Sequence, residues 1–346
     1  MTRKLTYMYV QLNRGCNIRC NHCDFWKLDE DPTGLTDAQI VQLIAEYRDV
    51  AGPGARVVTC GGEPLMALDR YFAVARQCRA LGLTFMSVTN GTLIKTPAFA
   101  EQVVAEGPHE ISVSLDAPDA ATHDRLRGGN GLWAVSTRGI RLMRDARDRL
   151  GLGNAVNKIY VMGLVTQSLV GKLDAFYDLC LNQLGADKLK LNVMQPSFGS
   201  DPTDHFFQDE QIQDIPGFLA EVVATDAKYG IRRNPVWLRQ VAMYLTSTAR
   251  NERRLRGWSD VHATSEHICN TYERNIMVDL WGGMKLCFSP TFPSVPWTGP
   301  GDLRRFWGVD SLPIADAMTA CNRYCGISHS VRKESATLRH LAAKVS

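Results

Sequence analysis

The chain lacks the features that would place it in a membrane or outside the cell. No stretch of its 346 residues approaches the roughly 18 consecutive apolar residues of a transmembrane helix. The opening MTRKLTYMYVQL turns polar at once and has no apolar core of a secretory signal. A chain without an export signal stays in the reducing cytosol, so we expect a cytoplasmic protein with no membrane partner.

An excess of charge of either sign is also absent. Lysine and arginine together number 39 and the acidic residues 36, which gives a formal net charge of +3. This balance excludes the basic stripe of a nucleic-acid-binding protein, so no nucleic-acid partner is expected. The basic run at residues 250–258, RNERRLRGW, is interpreted as a solvated helix face.

Apolar runs of strand type alternate with amphipathic runs of helix type over the first two hundred residues. Six strands are predicted, at residues 7–12, 56–59, 84–89, 110–115, 158–165 and 189–194. Such β–α units in series predict an α/β fold with a parallel sheet covered by helices. Six units fall short of the eight that close a full barrel, so we expect an open, partial (βα)6 barrel. The loops at the carboxyl ends of its strands should carry the chemistry.

The pattern changes after residue 205. Helical segments are predicted at about 208–229 and 235–255, and the sequence NIMVDLWGGMKLCFS predicts a β-hairpin around a Gly-Gly turn. We therefore divide the chain into a barrel at 1–205, a helical linker at 206–261 and a small α+β extension at 262–346. An extension of this size cannot build a large core and is of a kind that often relies on a metal.

The ten cysteines are partly grouped. Cys16, Cys20 and Cys23 follow the first predicted strand, whereas Cys78 and Cys180 lie in helical patterns and are expected to be buried. In a cytosolic chain, grouped cysteines favour metal ligands or catalysis over disulfides. A four-iron cluster needs four ligands, so three cysteines favour a cluster with one iron open to a substrate or cofactor. A zinc knuckle is the alternative.

The stretch CNIRCNHC resembles the C-x3-C-x2-C signature of radical S-adenosylmethionine (SAM) enzymes. In that family, the amino and carboxylate groups of SAM chelate the open iron of a 4Fe-4S cluster. The reduced cluster cleaves SAM to a 5′-deoxyadenosyl radical, which takes a hydrogen atom from the substrate. The family fold is a partial (βα)6 barrel, in agreement with the strand pattern. The family commonly has an aromatic residue before the third cysteine, and here His22 stands there as a flat ring or as an alternative ligand.

Further motifs resemble the SAM pocket of that family, and they imply SAM-binding roles for Gly61, Gly62, Glu63, Asn90, Ser114 and Arg127. The two glycines of CGGEPL permit close approach of the backbone, and Glu63 would bind the SAM ammonium group. Ser114, at the end of the fourth predicted strand, would bind the ribose. Arg127, in RLRGGNG, would pair with the SAM carboxylate.

Four more cysteines lie near the end of the chain: Cys269, Cys287, Cys321 and Cys325. Four is the number that a complete four-iron cluster requires. The stretch GGMKLC resembles the C-terminal extension called SPASM, or its shortened form called twitch, which hold auxiliary iron–sulfur clusters. The resemblance thus implies two 4Fe-4S clusters, the second of which would pass electrons. A structural zinc site on the same four cysteines is the alternative.

The resemblance implies hydrogen abstraction and leaves the fate of the substrate radical open. We expect a dehydrogenase-type oxidoreductase of natural-product biosynthesis, acting on a small sugar or aminocyclitol, with the auxiliary cluster as electron acceptor and Asp116 as a base. The alternatives are an epimerase with Cys60 as the thiol hydrogen donor, and a peptide-modifying enzyme, although we expect no peptide-binding domain before the barrel, since the first predicted strand starts at about Tyr7. A cluster-based sensor or scaffold is disfavoured by the intact SAM motifs. Flavodoxin or ferredoxin would be the external electron donor.

Overall fold

The computed structural model describes residues 3–27, 33–154, 157–193, 210–250, 269–288 and 292–321. Six strands alternate with helices in its first part: β1 (Tyr7–Gln11), β2 (Arg56–Cys60), β3 (Thr84–Thr89), β4 (Glu110–Ser114), β5 (Lys158–Leu164) and β6 (Lys188–Asn192). The helices between them are α1 (Asp37–Ala51), α2 (Leu68–Ala80), α3 (Pro97–Glu106), α4 (Ala120–Arg127), α5 (Leu132–Arg149) and α6 (Leu173–Tyr177). All six predicted strands are present, although residue 194 lies outside the described residues.

The sheet runs in the order β6-β5-β4-β3-β2-β1, and adjacent strands in this series are parallel. The order is linear, which confirms the expected open α/β barrel. Beyond β1 the sheet continues through β7 (Asn275–Val278), β8 (Gly283–Lys285) and β9 (Val295–Pro296). Strand β7 is parallel to β1, and β8 is antiparallel to β7. The predicted hairpin is therefore present, and it extends the sheet of the barrel.

Alternate residues of the strands face different surroundings. In β1, Met8 and Val10 are fully buried in the core, whereas Tyr7 and Tyr9 line a central cavity. Helices supply the other side of the core: α1 buries Ile44 and Tyr47, and the hydroxyl group of Tyr47 donates to the carbonyl oxygen of Arg56 at 3.0 Å. Polar side chains of other strands, namely Thr59, Ser87 and Ser112, line the same cavity.

The N-terminal cap of α1 is the one that the sequence predicts. Thr36 accepts from the backbone N–H of Gln39, and the side chain of Gln39 accepts from the backbone N–H of Thr36, so the predicted capping box is present. A cap of this type contributes about 1 kcal/mol to helix stability.

The remaining described helices are α7 (Ile215–Lys228), α8 (Pro235–Arg250), α9 (Asp302–Arg305) and α10 (Leu312–Thr319). The prediction that the first of them begins at residue 208 is wrong for residues 210–214, because Asp214 caps the helix by accepting from the backbone N–H of Gly217 at 2.9 Å. Glu46 of α1 joins the extension to the barrel, since it accepts from Trp297 Nε1 and the backbone N–H groups of Gly301 and Arg304. No helix within the described ranges has the length and hydropathy needed to cross a membrane.

Candidate active site

The loop after β1 carries the first three cysteines, and two glycines allow it to pack closely against its neighbours. A Cβ atom on Gly62 would overlap the carbonyl oxygen of Gly15 in this loop. On the other side, Gly128 has a φ of +69°, and a Cβ atom there would overlap the carbonyl oxygen of Arg19. Because glycine alone tolerates both the positive φ and the close contact, these two positions fix the path of the loop.

One pocket of about 320 Å³ lies at the carboxyl ends of the strands and collects the predicted site residues. Its lining includes Cys16, Cys20, Cys23, Cys60, Gly61, Gly62, Glu63, Asn90, Ser114, Asp116 and Arg127. His22 also lines this pocket, and burial lowers its pKa to about 4, so the imidazole is neutral at physiological pH. Residues from five separate segments of the chain thus meet at one place.

The donor set of this pocket fits a four-iron cluster. The three thiols come from one loop, and burial raises the pKa of Cys16 to about 11 and that of Cys20 to about 12. Within the described ranges, no group of three His, Cys, Asp or Glu side chains converges as the ligands of a single metal ion. In a four-iron cluster each cysteine binds a different iron, so three thiols of one loop can hold it without meeting at one point, and one iron is left without a cysteine ligand.

Two side chains place hydrogen-bond donors near the cysteine sulfurs. Arg127 Nη1 lies 3.8 Å from Cys20 Sγ, and Asn90 Nδ2 lies 4.0 Å from Cys16 Sγ. Asn90 is held in position by Asn17, whose Oδ1 accepts from Asn90 Nδ2 at 2.9 Å. Donors beside thiolate ligands stabilise negative charge and tune a cluster.

Glu63 is buried and already accepts three hydrogen bonds from the protein. Its Oε1 accepts from Thr89 Oγ1 at 2.6 Å and from the backbone N–H of Leu65 at 3.1 Å. Its Oε2 accepts from the backbone N–H of Asn90 at 2.7 Å. Burial raises the pKa of Glu63, although these donors oppose the shift. A carboxylate offers about four acceptor sites, so one site remains for an ammonium group.

Arg127 and Asp116, which both line the pocket, form a buried bidentate ion pair. Arg127 Nε donates to Asp116 Oδ2 at 2.6 Å, and Nη2 donates to Oδ1 at 3.1 Å. Asp116 Oδ1 also accepts from the backbone N–H of Leu164 at 3.0 Å. Burial alone would raise the pKa of Asp116, but Arg127 holds it at about 2. This geometry disfavours the predicted role of Asp116 as a base, because both oxygens accept hydrogen bonds and the carboxylate is weakly basic. That role stays a prediction.

A second cavity, of about 610 Å³, lies inside the barrel below the first and is called the barrel cavity here. The two cavities share wall residues, namely Thr59, Cys60, Val88, Met162 and Asn192. Cys60 ends β2 at this boundary, and burial raises the pKa of its thiol well above the usual range. The thiol is therefore protonated at neutral pH.

The basic wall of the barrel cavity was not anticipated from the sequence. Strand β6 is predicted as an apolar run, yet it places the polar side chains of Lys188, Lys190 and Asn192 in the cavity lining. Leu189 and Leu191 also belong to that lining and are buried. The alternation KLKLN at residues 188–192 is the signal that distinguishes a strand with one polar face from a fully apolar strand.

The described part of the extension contains three of the four cysteines assigned to the auxiliary cluster. Cys269 precedes β7, Cys287 follows β8 and Cys321 follows α10. The thiol of Cys269 accepts from the backbone N–H of Thr271 at 3.5 Å. Cys325 lies outside the described residues, and the auxiliary cluster stays a prediction.

Residues 10–165 match the sequence model of the Radical SAM superfamily. This segment therefore resembles a radical SAM domain. The domain contains the three cysteines of the first loop and all six residues to which a role in SAM binding was assigned. Enzymes of this family bind SAM and a 4Fe-4S cluster, which agrees with the donor set of the pocket.

Curated relatives match the chain over about half of its length or less. The AdoMet-dependent heme synthase of Nitratidesulfovibrio vulgaris is 34% identical over 149 residues, which are 43% of this chain and 40% of that protein. The enzyme of the same name from Methanosarcina barkeri is 35% identical over 159 residues, 46% of this chain and 44% of that protein. Mycofactocin maturase of Mycobacterium ulcerans is 30% identical over 54% of this chain and 47% of that protein. The chain thus matches less than half the length of these relatives.

Solved structures resemble the chain over a larger share of its length. Streptococcus suis SuiB bound to precursor peptide SuiA has a TM-score of 0.66 at 12% identity, covering 92% of this chain and 67% of that chain. The structure of anSMEcpe with bound AdoMet and a peptide has a TM-score of 0.64 at 14% identity, covering 98% and 95%. At such low identity the likeness establishes the fold alone.

Proposed function

We propose that this chain is an enzyme that cleaves SAM reductively and uses the 5′-deoxyadenosyl radical to take a hydrogen atom from an organic substrate. The supporting observation is the shared pocket, in which Cys16, Cys20 and Cys23 meet Glu63 and Arg127. A 4Fe-4S cluster on the three cysteines supplies the electron for this cleavage when bound. Flavodoxin or ferredoxin would deliver that electron.

The residues of the pocket would orient SAM. Glu63 retains one acceptor site for the SAM ammonium group, and its other sites are fixed by the ends of β2 and β3. Ser114 lines the same pocket and would contact the ribose. Arg127 already pairs with Asp116, so any contact with the SAM carboxylate would use the edge of the guanidinium group that faces Cys20.

The barrel cavity would hold the substrate, because Cys60, Met162 and Asn192 belong to the walls of both cavities. An oxidative outcome requires an electron acceptor, and an auxiliary cluster on Cys269, Cys287, Cys321 and Cys325 would supply one.

The sugar or aminocyclitol predicted from the sequence has no support in the relatives, which are named as heme synthases and a mycofactocin maturase. An amine is also disfavoured, since the part of the cavity wall that the structure describes contains basic and no acidic side chains.

Production of 5′-deoxyadenosine tests the proposed function. Protein reconstituted anaerobically with iron and sulfide is expected to form this product from SAM in the presence of dithionite. The same protein stripped of iron with a chelator is expected to form none, because the electron source has been removed. A fully reconstituted chain that leaves SAM intact would contradict the proposal.

A second candidate is epimerisation, which is favoured by the position of Cys60 between the two cavities. Its raised pKa keeps the thiol in the S–H form that can return a hydrogen atom. Peptide modification is the remaining alternative, because SuiB and anSMEcpe were solved with bound peptides.

Deuterium incorporation separates oxidation from epimerisation. In deuterated water, an epimerase product gains one deuterium from the thiol and shows no mass change from oxidation. A Cys60→Ala variant would then stop turning over its substrate, whereas Cys78→Ala, at a buried position in α2, would retain activity. An oxidised product formed equally well by both variants would rule out the thiol route.

A further inference from the structure

The barrel cavity has a one-sided charge distribution. Among the described residues, five basic side chains and no acidic one line it: Lys188, Lys190, Arg232, Arg233 and Arg274. They come from three places in the chain, namely β6, the connection between α7 and α8, and the segment before β7. A cavity lined by one sign of charge attracts a ligand of the opposite sign.

Most of these cations make no close ion pair, although the charge of Glu110 acts on Lys190 from outside the cavity lining. Arg233 is paired with Asp226, with Nε and Oδ2 2.6 Å apart. The other four make no ion pair within the described ranges. Arg274 in addition has a buried Nε atom that lacks a hydrogen-bond partner among the described residues. Buried polar groups are normally paired, so this unmet capacity points to a ligand.

Lys190 lies at the middle of β6 and is the cation whose contacts in the cavity are best defined. Its Nζ donates to Ser112 Oγ at 3.2 Å and lies 4.2 Å from the ring centroid of Tyr160. Neither partner carries a negative charge at neutral pH. Burial lowers the pKa of Lys190 to about 8, so the ammonium group is still mostly protonated at pH 7. A bound anion would relieve the cost of burying this charge.

The remaining walls are largely apolar. Tyr9 and Phe288 pack edge to face with their centroids 5.1 Å apart, and both line the cavity together with Trp237. Met86 and Val58 contribute from β3 and β2. Such walls suit a flat or aliphatic body rather than a heavily hydroxylated one.

We infer that the barrel cavity binds an organic anion with an apolar body, and that Lys190 is the principal ligand of its anionic group. The inference rests on the proposed function in one respect, since it treats this ligand as the substrate. Anchored at Lys190, the body of the substrate would extend past Cys60 towards the SAM pocket, which shares that wall.

Titration calorimetry of the reconstituted protein with 2-naphthoate, 2-naphthyl phosphate and 2-naphthamide tests the inference. We expect at least one of the two anions to bind at least tenfold more tightly than the neutral amide, and the stronger of the two identifies the head group as carboxylate or phosphate. Lys190→Met is expected to weaken anion binding about tenfold, because a charge-assisted hydrogen bond is lost. Its effect on 2-naphthamide should stay below about threefold, and Lys190→Arg should retain most of the anion affinity.

The matched control is Arg149→Met, which removes a basic residue from an exposed pair with Glu101 on α5 and should leave all three affinities unchanged. Equal binding of the amide and the anions, absence of anion binding, or unchanged anion affinity in Lys190→Met would each overturn the inference. Formation of 5′-deoxyadenosine is measured separately on the same variant. Failure of SAM cleavage is therefore distinguishable from failure of anion binding.

Discussion

Replacing Cys20 by alanine is expected to remove about four irons from each reconstituted chain, because a four-iron cluster does not persist on two cysteines. Cys20 is 6% exposed and lies in the same pocket as Cys16 and Cys23. Its sulfur faces Arg127 Nη1 at 3.8 Å, so the pocket is built to hold negative charge on this ligand. Iron and acid-labile sulfide analysis measures the loss.

Cys78→Ala is the matched control for this change, because Cys78 is fully buried in α2 and lies outside the pocket. The control should keep its full iron content. A fall from about eight irons in the wild-type chain to about four in Cys20→Ala would also support the auxiliary cluster. A fall from about four irons to none would show that the C-terminal cysteines hold no iron–sulfur cluster. Unchanged iron content in Cys20→Ala would show that the loop holds no cluster.

Replacing Arg127 by methionine is expected to destabilise the iron-free chain by about 3–5 kcal/mol. The side chains of Arg127 and Asp116 are 11% and 0% exposed, so the variant would leave a carboxylate buried without its cation. Removal of one partner of a buried pair costs more than the pair contributes, because the remaining charge keeps its desolvation penalty. Urea unfolding of the iron-free protein measures the effect without a contribution from metal binding.

Two further variants separate the loss of the ion pair from the loss of side-chain volume. Arg149→Met breaks an exposed ion pair with Glu101 and should cost no more than about 1 kcal/mol. Adding Asp116→Asn to Arg127→Met should restore part of the stability, since a neutral amide replaces the buried charge. Equal and small effects of Arg127→Met and Arg149→Met would mean that the pair does not support the pocket.

Local patterns were sufficient to predict the elements of the barrel. Strand β3 has the predicted bounds, and the ends of the other five barrel strands differ from prediction by one or two residues. The capping box of Thr36 and Gln39 also follows from neighbouring residues. These features depend on hydrophobic alternation and on contacts a few residues apart, which a single sequence contains.

Long-range partners explain what the sequence did not reveal. The hairpin was expected in a separate extension, yet β7 pairs in parallel with β1, more than 260 residues earlier in the chain. The role of Asp116 as a base is disfavoured because Arg127 and the N–H group of Leu164, 48 residues away, occupy its oxygens. The basic face of β6 is a different case. Its alternation of lysine and leucine is present in the sequence, but buried parallel strands are typically continuous apolar runs, and the prediction followed that rule.

Electron paramagnetic resonance of the dithionite-reduced chain, recorded before and after addition of SAM, tests the central claim most directly. The claim is that Cys16, Cys20 and Cys23 hold a cluster with one iron open to SAM in the pocket beside Glu63 and Arg127. The account predicts that SAM changes the signal of the wild-type chain. A variant lacking all three cysteines should retain at most a signal that SAM does not alter. A reduced wild-type spectrum that SAM leaves unchanged would contradict the account.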